Sequence, residues 1–93
     1  MENRRHFIKN VIEQSLLHPE MVPGHPIVEI AGEHRVLIEN HHGVAAYGKE
    51  RILVKVKFGS ICISGDNLEI ARMTKEQLVI LGIIHSVELQ RRR

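Results

Sequence analysis

Four glycines, Gly32, Gly48, Gly65 and Gly82, stand 16, 17 and 17 residues apart, with short apolar-rich runs between them. Glycine lets a backbone turn tightly or pass close to another chain segment. Spacing of this kind predicts repeated strand-turn-strand units after Pro26 and leaves little room for an inserted active-site loop.

A chain of 93 residues with 43% hydrophobic content supports one small domain with a single core. Aromatic residues make up only 3%, so Ile, Val and Leu must build that core. This suits strands and suits base stacking poorly, which argues against a specific nucleic-acid ligand. Cys62 is the single cysteine and has no internal disulfide partner, so a cytoplasmic setting is expected. No apolar stretch approaches the roughly 20 residues of a membrane span, and the N-terminus lacks a signal-peptide h-region. The net charge of +2 is mild. Arg91, Arg92 and Arg93 form a basic tail, read first as a solubilising terminus.

Phe7, Ile8, Val11, Ile12, Ser15 and Leu16 recur at helical spacing, which predicts an amphipathic helix over residues 3–17. Pro19, Pro23, Gly24 and Pro26 then fix or free the backbone in ways that end a helix, giving a linker over 18–26. The expected organisation is residues 1–26 as helix and linker, 27–90 as a β-domain and 91–93 as the basic tail.

Within the β-domain, Val36 and Ile38 alternate with Arg35 and Glu39. Ile52, Val54, Val56 and Phe58 alternate with Arg51, Lys55 and Lys57. Each strand therefore has one buried and one wet face. Further strands are expected at 28–31, 44–47, 61–64, 68–72, 78–81 and 85–89. Asn40-His41-His42-Gly43, Phe58-Gly59 and Gly65-Asp66-Asn67 read as hairpin reversals. The fold expected is mainly β: a small antiparallel β-sandwich or partly closed barrel of about eight short strands. The rival is a short parallel β-solenoid, in which Val28, Val44, Ile61 and Leu78 would stack at the glycine period.

Three groups invite a chemical reading. Seven histidines, among them His34, the adjacent pair His41 and His42, and His85, suggest metal binding. Adjacent turn residues point apart, however, and no HxH or HExxH spacing occurs, so no metal or other cofactor is expected. Cys62 sits between Ile61 and Ile63 with no orienting carboxylate signalled, which favours packing over nucleophilic catalysis. Arg51, Lys55 and Lys57 line one strand face, either as an ordinary solvated surface or as a surface for an acidic partner. Leu37 and Leu53 on the nominally polar faces imply that something covers part of them, making Arg51, Leu53, Lys55 and Lys57 the candidate partner surface.

The run Ile38-Glu39-Asn40-His41-His42-Gly43, then Ile52-Leu53-Val54-Lys55-Val56, then residues 59–70 resemble the YabP/YqfC family of endospore-formation proteins, its YqfC branch in particular. The resemblance spans roughly residues 4–89. Its most specific element is the IENH-x-G run, with Glu39, Asn40, His41 and Gly43 as signature residues; His42 stands where relatives carry Arg or Lys. The resemblance implies a small non-enzymatic protein on the mother-cell side of the forespore membrane, acting in spore-envelope maturation. It also implies a multi-pass membrane protein of the YqfD type as partner, and it carries no catalytic residues. Two alternatives stand beside it: a self-assembling structural protein at the forespore surface, with homo-oligomers, and, third, a small metal-binding protein.

Overall fold

A computed structural model describes residues 24–92, which contain six strands and no helix. The helix expected over 3–17 and most of the linker lie outside the described residues. The strands are β1 (Ile27–Ala31), β2 (Arg35–Glu39), β3 (Val44–Tyr47), β4 (Arg51–Val56), β5 (Gly59–Met73) and β6 (Gln77–Arg91). They form one open sheet in the order β1-β2-β6-β5-β4-β3, with every pairing antiparallel. That pattern excludes the solenoid, whose rungs would pair in parallel. No helix among the described residues is long and apolar enough to cross a membrane.

The strand count corrects the expectation of eight. Segments 61–64 and 68–72 belong to the single strand β5, and 78–81 and 85–89 to β6, each 15 residues long. Gly65-Asp66-Asn67 is therefore an irregularity inside a strand, where the β5–β6 register shifts, and not a reversal. The reason for glycine here is close approach: a Cβ on Gly65 would collide with the carbonyl oxygen of Ile83 on the neighbouring strand. The reversal expected at Phe58-Gly59 falls one residue earlier, as a two-residue Lys57-Phe58 turn between β4 and β5 with Val56 paired to Gly59.

The connection between β2 and β3 forces the sheet to curl. In a flat sheet those strands would lie four spacings apart, roughly 19 Å at about 4.8 Å each. Residues 40–43 provide five steps from Glu39 to Val44, at most about 17 Å if fully extended. They are not extended, since Asn40 and Gly43 have φ of 63° and 105°. The short connection therefore draws the two flanks of the sheet toward each other.

Curling lets the inner faces bury one another. Val36 and Ile38 of β2 share one core with Ile52, Val54 and Val56 of β4, Ile61, Ile63 and Leu68 of β5, and Leu78 and Ile80 of β6. Cross-strand register builds it, pairing Val36 with Ile80, Ile38 with Leu78, Ile52 with Ile63 and Val54 with Ile61. The alternation expected for β2 and β4 is observed, because a period of two puts every second residue of a strand on the same face. Backbone bonds from Gly65 and Leu68 to Glu50 and Lys49, and from Gly82 and Ile84 to His34 and Glu33, brace the outer loops against the long strands.

Candidate functional site

The signature residues Glu39, Asn40, His41 and Gly43 lie in or beside the β2–β3 connection, and each has a defined structural task. Asn40 sits in the left-handed region, which its short side chain tolerates. Its Nδ2 donates to the carbonyl of His25 at 2.9 Å, and its backbone N–H donates to Glu76 at 2.7 Å. Glu39 accepts from Gln77 Nε2 at 3.1 Å.

His41 is the centre of the arrangement and is only 7% exposed. Its Nδ1 accepts from the N–H of Gly43 at 3.0 Å, and its Nε2 meets the carbonyl of Thr74 at 2.8 Å. An amide must donate and a carbonyl must accept, so the two partners select the neutral tautomer with its proton on Nε2. Gly43 combines a φ of 105°, a conformation L side chains rarely adopt, with a backbone carbonyl that accepts from Lys55 N–H at 2.8 Å. His42 N–H donates to the Lys55 carbonyl in return, at 2.7 Å. The turn is thus a clamp binding three places at once: the approach to β1, the tip of the β5–β6 hairpin, and β4. The hairpin expected here is corrected, since β2 and β3 do not pair. A local sequence window shows a turn but not that its two arms go to different parts of a sheet.

The hairpin tip is prepared to receive the clamp. Gln77 N–H donates to Thr74 Oγ1 at 2.9 Å, and Thr74 N–H donates to the Gln77 carbonyl at 2.7 Å. This leaves the Thr74 carbonyl free to accept from the His41 ring.

Of the candidate surface, Arg51, Leu53 and Lys55 share the outer face of β4, and Lys57 stands in the turn that follows. Arg51 donates through Nε to Cys62 Sγ at 3.0 Å, and that bond, with the nearby Glu88 carboxylate, raises the guanidinium above its ordinary value. Leu53 is half-buried and faces Cys62 across the β4–β5 ladder. Lys57 occupies the hairpin turn, beside Gly24.

Lys55 instead joins residues distant in sequence. With His42, Val56, Gly59, Ser60, Gln90, Arg91 and Arg92 it lines a cleft of about 510 Å³. Ser60 Oγ donates to Gln90 Oε1 at 3.3 Å across the cleft floor. Arg91 reaches it because β6 continues through residue 91, paired with Gly59, and Arg92 N–H donates to the Phe58 carbonyl at 2.8 Å. Sequence reasoning missed this gathering. The charge of the arginine run was visible, but its docking depends on a pairing between residues about thirty positions apart.

The remaining chemical groups lie apart. His34 contacts Glu33 and the Gly82 carbonyl, and His85 contacts Asp66 at 3.2 Å on the exposed surface. Among the described residues no three His, Cys, Asp or Glu side chains come together as a metal site. Cys62 is 4% exposed and packs on the sheet, with Ser64 at 4.0 Å.

A family model described as the YabP family matches residues 23–93, three quarters of the chain and all of the β-sheet. The chain belongs to the YabP family. The Bacillus subtilis (strain 168) protein named "Uncharacterized protein YqfC" is 26% identical over 88 residues, covering 94% of this chain and 95% of its own. The YabP/YqfC resemblance drawn from the IENH-x-G run is therefore confirmed over the whole sheet. No solved structure matches.

Proposed function

We propose that this YabP-family protein is a non-enzymatic sporulation protein of the mother cell, acting in spore-envelope maturation by binding a membrane-associated partner. Family membership supports the sporulation setting. The observation that supports binding over catalysis is the use of the signature itself. Glu39, Asn40 and His41 are occupied by bonds that hold backbone segments together, and no nucleophile stands beside them among the described residues. The most specific residues of the chain thus build a shape.

The surface offered to a partner is the outer face of β4 with its adjoining hairpin: Arg51, Leu53, Lys55 and Lys57. A half-buried leucine flanked by cations suits an acidic segment that also carries an apolar side chain. A multi-pass membrane protein of the YqfD type is the partner proposed, met on the cytoplasmic, mother-cell side of the forespore membrane. The test is time-lapse imaging of a fluorescent fusion with and without the gene for that membrane protein. A ring around the forespore that disperses when the gene is absent is expected; diffuse signal throughout vegetative growth would sink the reading.

Self-assembly is a second reading, and the edge strand β1 favours it. Ile27 and Ile30 on that edge are 49% and 54% exposed, and an unpaired edge invites another strand. Sedimentation across a hundredfold range of concentration separates the two. Constant mass supports the partner-binding module, and growth with concentration supports the assembler.

A further inference from the structure

The cleft at the β4–β5 hairpin and the end of β6 gathers several hydrogen-bond donors beside Val56 and Gly59. Lys55, Arg91 and Arg92 bring three fixed positive charges, and His42 brings an exposed imidazole. Among the described residues no carboxylate lines it and none of the three cations forms an ion pair. Ser60 donates to the side-chain oxygen of Gln90, which leaves the amide end of Gln90 as a further donor. Three cations with further donors around one space suit an anionic group whose oxygens accept from several of them at once, as those of a phosphate do.

Arg91 also lines a second pocket, of about 350 Å³, with His25, Phe58 and Leu89. Leu89 is 63% exposed there, a large apolar side chain turned to the outside within reach of the cationic cleft. A phosphate site that shares an arginine with an apolar pocket fits an amphiphile. Nucleic acid fits less well, because no Phe, Tyr or Trp side chain lines the cationic cleft as a platform for a base.

We propose that this cleft binds the phosphate of an anionic phospholipid headgroup, with Phe58 and Leu89 meeting the adjoining hydrocarbon, so that this end of the sheet rests on a membrane surface. The interaction needs no protein partner, and it gives the molecule an independent hold on the membrane in which its partner would lie. Cation clusters backed by an apolar side chain are the ordinary means of peripheral attachment to acidic leaflets.

Co-sedimentation with large unilamellar vesicles at 0.15 M salt tests this, using the full chain. Vesicles containing phosphatidylglycerol are expected to bind it and pure phosphatidylcholine vesicles are not. The double variant K55Q/R92Q is expected to weaken binding by more than about tenfold. The variant L89S, which leaves the charge unchanged, is expected to weaken it several-fold. Unfolding curves like those of the wild type show that the variants are folded. Three results overturn the proposal. One is no binding to phosphatidylglycerol vesicles. Another is full competition by millimolar glycerol phosphate together with wild-type binding by L89S, which indicates a soluble phosphate ligand. The third is equal or tighter binding to a single-stranded oligonucleotide, which indicates nucleic acid. The vesicles contain no protein, so failure here leaves the membrane-protein partnership to be judged separately by imaging.

Discussion

The Nε2–H of His41 donates to the Thr74 carbonyl at 2.8 Å, joining residues 33 positions apart, while Nδ1 of the same ring receives the amide of Gly43. One side chain thereby fixes both the shape of the β2–β3 connection and its place against the β5–β6 hairpin. The family signature is intelligible in these terms. The connection must be short, must turn twice through left-handed conformations and must be held from within, and Asn40, His41 and Gly43 meet those needs.

Replacing His41 with Ala is expected to cost about 2–4 kcal/mol, because it strands a buried carbonyl and amide and leaves a cavity. The neighbouring His42→Ala, at an exposed ring, is expected to change stability by no more than about 0.5 kcal/mol. Urea unfolding of both variants checks the contrast. Equal effects would show that the clamp is not what holds the turn.

Gly65→Ala is expected to destabilise the fold by about 2–3 kcal/mol or to abolish it, since the new methyl group meets the Ile83 carbonyl in the middle of the longest strand pair. Backbone cannot swing aside as a side chain does. A melting temperature within a degree of wild type would mean that β5 and β6 are not packed so closely.

Ile52→Ala and Lys55→Ala lie three residues apart on opposite faces of β4. The first empties a fully buried site and is expected to cost about 2–5 kcal/mol. The second is expected to leave unfolding unchanged within about 0.5 kcal/mol and to reduce recovery of the proposed membrane partner in co-purification. If Lys55→Ala matched Ile52→Ala in unfolding, Lys55 would belong to the scaffold and not to a surface for binding.

Cys62, nearly sealed and capped by the Arg51 side chain, is expected to react with a thiol reagent at least about tenfold more slowly in the native protein than in urea. Labelling kinetics under both conditions provide the comparison. Similar rates would place the sulfur at an accessible surface.

Strand alternation, the core residues of β2 and β4, the existence of a reversal next to Phe58 and the family signature were all legible in the amino-acid order. Each depends on neighbours a few positions apart, where a period of two or a glycine at a turn leaves a local mark. The merging of four expected strands into β5 and β6 was not legible. A glycine that permits close approach looks the same in sequence as a glycine that reverses the chain, and at Gly65 the Ile83 carbonyl on another strand makes the difference. The same holds for the clamp and the cleft. His41 has no visible structural task until Thr74 is brought to it, and Arg91 and Arg92 are a charged end until pairing with Gly59 and Phe58 sets them beside Lys55. Sequence by itself determined that this chain makes β-strands around an aliphatic core and resembles the YabP family. Only the tertiary structure decided which residues brace the curled sheet and where its charges converge, because contacts between segments tens of residues apart create both.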